Sequence, residues 1–82
     1  MSEDHKNLEP TVLDIRADVC PYTFVKSKLA LEDLEPGQVL EIQLGNSESA
    51  ANVPRSLALE HHEVTKVDKT GPSTWTVTVR KG

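Results

Sequence analysis

Two short alternating runs separated by a helix-length stretch do most to limit how this chain folds. Thr11–Arg16 places Leu13 and Ile15 on one side and Val12, Asp14 and Arg16 on the other. Val39–Leu44 alternates Leu40, Ile42 and Leu44 with Val39, Glu41 and Gln43. A period of two marks a strand with one covered face. Between the runs, Phe24, Ser27, Leu31 and Leu34 recur in steps of three and four, and Val25, Leu29 and Ala30 widen the stripe. That spacing predicts a helix from Pro21 to about Leu34, ended by Glu35-Pro36-Gly37. A strand–helix–strand unit of this length joins two parallel strands through a right-handed crossover.

The second half repeats the logic and then changes it. Gly45-Asn46-Ser47 reads as a loop, with Ser47 the cap of a helix from about Glu48 to Glu60. Val53, Leu57 and Ala50 face the sheet. Pro54 either begins the well-formed part of this helix or kinks it, with the residues just before it irregular. Val64–Lys69 and Thr74–Arg80 flank the breaker-rich turn Thr70-Gly71-Pro72-Ser73, an antiparallel hairpin. Trp75, Val77 and Val79 share one face, and Trp75 is expected to pack beneath the helices. The order strand, helix, strand, helix, strand, strand predicts an α/β two-layer sandwich: a mixed four-stranded sheet with two helices on one face and a polar second face. A chain of 82 residues holds one such domain, over residues 11–82. Residues 1–10 (MSEDHKNLEP) read as a flexible tail, with His5 solvated.

Composition removes several function classes. A net charge of −4 weighs against direct nucleic-acid binding, which requires neutralising phosphates. No apolar run is long enough to cross a membrane, and no hydrophobic N-terminal segment suggests export, so the expected location is cytoplasmic. His61-His62 invites a metal reading, but adjacent histidines point in different directions and nothing else has ligand spacing. They suit a helix C-terminus, where they complement the dipole. No metal and no cofactor are expected.

The chemistry concentrates at Cys20, the only cysteine. Pro21 suits the first position of a helix, because its missing N–H is no loss there. Cys20 then falls at the cap, near free amides and the positive end of the helix dipole, which favour the reactive thiolate. The alternative is a small buried hydrophobe. Arg16 pairs with Asp14, or else presents its charge to the sulfur. Lys26 and Lys28 lie towards the outer side of the helix, either simply solvated or as a basic rim for an acidic partner or an anionic sulfur group.

Taken together these pieces resemble the TusA/SirA-like family of small sulfur carriers. The family pattern is a Leu-Asp-x-Arg-Gly strand, then Cys-Pro-x-Pro, then a helix with lysines and Ala-Leu. Here it reads Leu13-Asp14-Ile15-Arg16-Ala17-Asp18-Val19-Cys20-Pro21-Tyr22-Thr23, followed by Phe24-Val25-Lys26-Ser27-Lys28-Leu29-Ala30-Leu31. Pro36-Gly37, Asn52-Val53-Pro54 and His62-Glu63-Val64 also look like the family, so the resemblance spans about Thr11 to Arg80. It implies the same sandwich and a sulfurtransferase-type role. Cys20 would accept sulfane sulfur as a persulfide from a donor enzyme, such as a cysteine desulfurase, and pass it to a downstream acceptor protein. Pro21, Thr23 and Arg16 would support Cys20, and Lys26 and Lys28 are candidate docking residues for the partner.

Two positions depart from the pattern: Thr23 replaces the second proline and Ala17 the glycine. Threonine restores a backbone N–H and adds a hydroxyl able to bond towards the sulfur or back to the chain. The competing class is a non-catalytic regulatory or protein-binding module with a structural or redox-sensing Cys20. An RNA-binding domain is disfavoured by the acidic balance and the absence of interleaved aromatic and basic residues.

Overall fold

The computed structural model describes residues 10–19 and 21–82. The expected tail (Pro10 apart), His5 within it, and Cys20 itself lie outside the described residues. The elements are β1 (Thr11–Asp14), α1 (Tyr22–Glu32), β2 (Val39–Leu44), α2 (Ser47–Leu59), β3 (Glu63–Gly71) and β4 (Thr74–Arg80). The sheet order is β1-β2-β4-β3. β1 runs parallel to β2, while β4 is antiparallel to both β2 and β3. This is the mixed four-stranded sheet with two helices that the patterning predicts.

Alternation decides which face is covered. Leu40, Ile42 and Leu44 of β2 and Val77 and Val79 of β4 are buried. They form one core with Ile15, Leu31, Val53 and Leu57, and Leu13, Phe24, Ala50 and Trp75 pack against it. The intervening Glu41, Gln43, Thr76 and Thr78 are half-exposed on the polar face. Trp75 thus joins the core side, and the Lys69 ammonium stands 5.7 Å from its ring centre, within cation–π range.

Several boundaries differ from expectation, each for a local reason. α1 begins at Tyr22, not Pro21, so the cap position falls to Pro21 and not, as expected, to Cys20. It ends at Glu32, where the N–H groups of Asp33 and Leu34 tighten onto the carbonyls of Ala30 and Leu31. The following turn has the proline–glycine form: Gly37 takes φ +94° and the Gln38 N–H bonds the Glu35 carbonyl at 3.0 Å. The buried side of α1 is Thr23, Ser27 and Leu31. Val25 and Leu29, expected to widen the apolar stripe, are instead 46% and 56% exposed.

α2 is helical throughout, so the irregular stretch expected before Pro54 does not occur. Its cap is Asn46 rather than Ser47, and the Asn46 side chain accepts the Ser49 N–H at 2.8 Å. That cap nucleates the helix upstream of Pro54, and burial of Ser49, Val53 and Leu57 on one side holds it there. At the other end, His61 adopts φ +72°. Its N–H bonds the Ala58 carbonyl, and the His62 N–H bonds the Leu57 carbonyl, a Schellman closure in which glycine is the usual occupant. β3 outlasts its expected end: Thr70 and Gly71 remain in the strand, which absorbs register shifts at Val64/Lys66 and Lys69/Gly71.

Candidate functional site

The first loop leaves β1 at the C-terminal end of the parallel pair, a position where open α/β sheets commonly place their sites. Its path is set by the β2–α2 connection beneath it. The Ile15 N–H bonds the Gln43 carbonyl at 3.1 Å, extending the pairing one residue past β1. The Asp18 N–H then turns back to the Ile15 carbonyl at 3.0 Å. Gly45 passes so close to Arg16 that a Cβ there would lie 2.1 Å from the Arg16 carbonyl oxygen. The Asn46 Nδ2 donates to the Asp18 carbonyl at 3.1 Å.

Beyond Cys20 the chain is held equally firmly. The Val19 carbonyl accepts the N–H groups of Tyr22 and Thr23 at 2.9 and 3.3 Å. Both bonds close the turn that leads into α1. Thr23 is buried, and its hydroxyl lies 3.0 Å from that of Ser49. Ser27, one turn on, donates to the Thr23 carbonyl at 2.7 Å. Cys20 is therefore bracketed in sequence by Asp18-Val19 and Thr23, both anchored to the body of the domain.

Arg16 takes the first of its two expected roles. Its Nε and Nη2 donate to the two Asp14 carboxylate oxygens at 2.9 and 2.8 Å, and its backbone N–H adds a third bond at 3.2 Å. These bonds hold the Asp14 carboxyl below the usual carboxylate range and raise the guanidinium in return. Because the folded value is depressed, the pair's contribution is present above the ordinary Asp pKa and is lost as pH falls through the lowered one. Arg16→Gln should move the Asp14 titration upward in a carboxyl NMR experiment; an unmoved titration would show that the fork has no electrostatic effect. Asp14, Arg16, Asp18, Gly45 and Ser73 also border an open cleft of about 520 Å³ beside this loop.

Both lysines meet carboxylates. Lys26 donates to Asp18 at 2.9 Å, and Lys28 lies 3.7 Å from Glu60. The rim along α1 is thus a set of ion pairs rather than bare positive charge. Between them the helix presents Tyr22, Val25 and Leu29 to solvent, at 63%, 46% and 56% exposure. The histidines take structural roles: His61 closes α2, and the His62 Nδ1 accepts the Gly82 N–H at 3.1 Å. Among the described residues no three His, Cys, Asp or Glu converge as a metal site, and no helix is long and apolar enough to cross a membrane.

Sequence reasoning passed over Gly45, Asn46 and Ser49. The signal present was weak: an asparagine three residues before Ser49, at the entrance to an apolar-periodic stretch. Nothing local shows that its amide also reaches across to Asp18.

The fold and the site together define a small α/β sandwich whose one cysteine, by its place in the sequence, belongs to the loop at the C-terminal end of the parallel strands. The family described as Sulfurtransferase TusA matches residues 11–81, and the chain belongs to it. A protein of Archaeoglobus fulgidus described as "Putative sulfur carrier protein" is 41% identical over 70 residues, covering 85% of this chain and 80% of that one. A Thermotoga maritima protein of the same description is 34% identical over 68 residues, covering 83% and 86%. An Escherichia coli K12 protein described as "Putative sulfur carrier protein TsuB" is 30% identical, covering 84% and 92%. The crystal structure of a SirA-like protein from Desulfitobacterium hafniense has the same fold, with a TM-score of 0.77 at 23% identity, covering 88% of this chain and 97% of that one.

Proposed function

We propose that this protein is a sulfur carrier that holds sulfane sulfur as a persulfide on Cys20. The observation that carries the reading is the position of the only thiol: it falls between two anchored segments of a loop, in a chain matched to the TusA family from end to end of its fold. The Cys20 thiolate attacks the terminal sulfur of a donor persulfide. One S–S bond forms as the donor's breaks, and the donor leaves as a thiolate with no net oxidation. Attack by an acceptor thiolate on the carried sulfur repeats the exchange.

Pro21 fixes the backbone where loop becomes helix, Thr23 ties the first turn to α2, and Arg16 shapes the approach through Asp14. The partners are a sulfur donor, such as a cysteine desulfurase, and an acceptor protein, met in the cytoplasm. Both dock on the outer side of α1, where Tyr22, Val25 and Leu29 supply apolar area and Lys26 and Lys28 exchange their carboxylates for the partner's.

Intact mass after incubation with polysulfide, or with a cysteine desulfurase and cysteine, tests this directly. The expected result is a gain of about 32 Da, one sulfur atom, reversed by a thiol reductant and absent from Cys20→Ser. A wild type that takes up no sulfur overturns the carrier role and leaves a protein-binding module, whose partner would be retained by Cys20→Ser.

A further inference from the structure

Asn46 is bound at both ends of its amide, and the two bonds serve different elements. Its Oδ1 caps α2 by accepting from Ser49, and its Nδ2 donates to the carbonyl of Asp18, 28 residues away in sequence. One partner is a donor and the other an acceptor, so the amide can satisfy both in one orientation only. Close by, Gly45 lets the two backbones touch at Arg16, and the Ser49 hydroxyl meets Thr23 beyond the cysteine. The first turn of α2 therefore grips the chain on both sides of Cys20, two residues before it and three after.

We infer that Asn46 is a positioning residue for the Cys20 thiol, fixing the loop through the Asp18 carbonyl independently of its role as a helix cap. This rests on the carrier reading for its purpose, not for its geometry. A thiol that must reach both a donor's and an acceptor's sulfur gains from a loop held in one attacking geometry. A freed Asp18 carbonyl would let the loop wander and change the surroundings in which the thiolate forms.

Asn46→Asp and Asn46→Ser separate the two roles. Each keeps an oxygen at the cap able to accept from Ser49. The carboxylate has no donor for the Asp18 carbonyl, and the serine hydroxyl is too short to reach it. The measurements are melting temperature, the pH profile of Cys20 alkylation by iodoacetamide, and sulfur uptake from polysulfide. The expected result is a melting temperature close to wild type, with the alkylation profile displaced and the rate at pH 7 changed about fivefold in both variants. Profiles that superimpose on wild type in both variants overturn the inference, as does a displacement in Asn46→Asp alone, which would report the added charge. If wild type alkylates normally but takes up no sulfur, the carrier reading fails while the clamp is still judged by the profiles.

Discussion

Gly45→Ala is expected to lower stability by about 3 kcal/mol, at the upper end of the usual cost of overpacking. The reason is space rather than backbone conformation, since Gly37 is the only glycine with a positive φ among the described residues. An added Cβ would meet the Arg16 carbonyl oxygen at 2.1 Å and its carbon at 2.9 Å. Both are backbone atoms, so no rotamer change relieves the clash. Either the β2–α2 connection lifts, weakening the Asn46 bond to Asp18, or the Arg16 segment does, breaking the Ile15 bond to Gln43. A domain of this size is stable by roughly 4–12 kcal/mol, and the melting temperature should fall by about 15 °C. Urea unfolding followed by fluorescence of Trp75, the only tryptophan, reads the loss directly. A shift below about 0.5 kcal/mol would show that the two loops separate freely and that their contact does not define the site. Gly37→Ala, where the Cβ meets open space, isolates the cost of a left-handed residue, about 1 kcal/mol.

Ile42→Ala should be at least as damaging, at about 3–4 kcal/mol, because it combines lost burial with a cavity that the sheet cannot close. Ile42 is fully buried on β2, paired with Leu13 of β1 on one side and Val77 of β4 on the other. The strand is hydrogen-bonded along both edges, so its backbone cannot move in to fill the space. Val67→Ala is the matched comparison. Val67 pairs with Val77 on the same face but belongs to edge strand β3 and is 47% exposed, and its truncation should cost under about 1 kcal/mol. The same urea experiment ranks the two, and a larger loss from Val67→Ala would refute this account of where the core lies.

Much of the fold was legible because its signals are local. The two-residue alternation of Val39–Leu44 matches β2 residue for residue, and Pro36-Gly37 marks a turn whose φ and hydrogen bond follow from those residue types. The Asp14–Arg16 pair was legible too, being two residues apart on one side of a strand. Helix faces were read less well. Val25 and Leu29 are apolar at helical spacing, yet a two-layer fold covers only one side of α1, and that side is taken by Thr23, Ser27 and Leu31. Hydrophobicity alone misassigned them because the small polar residues win the interior by pairing with one another and with the backbone, leaving none of their buried polar atoms unsatisfied.

The candidate site divides along the same line. That Cys20 and Pro21 stand between a strand and a helix is a property of adjacent residues, so the sequence alone determined it, along with the parallel pair that places the loop at the strands' C-terminal end. What holds the loop was decided only in three dimensions. Gly45, Asn46 and Ser49 read as an ordinary helix entrance until the crossover sets them against Arg16, Asp18 and Thr23. Close backbone approach and a two-ended amide depend on distances between segments some 26 to 29 residues apart along the chain, and residue type and local period carry no record of those distances.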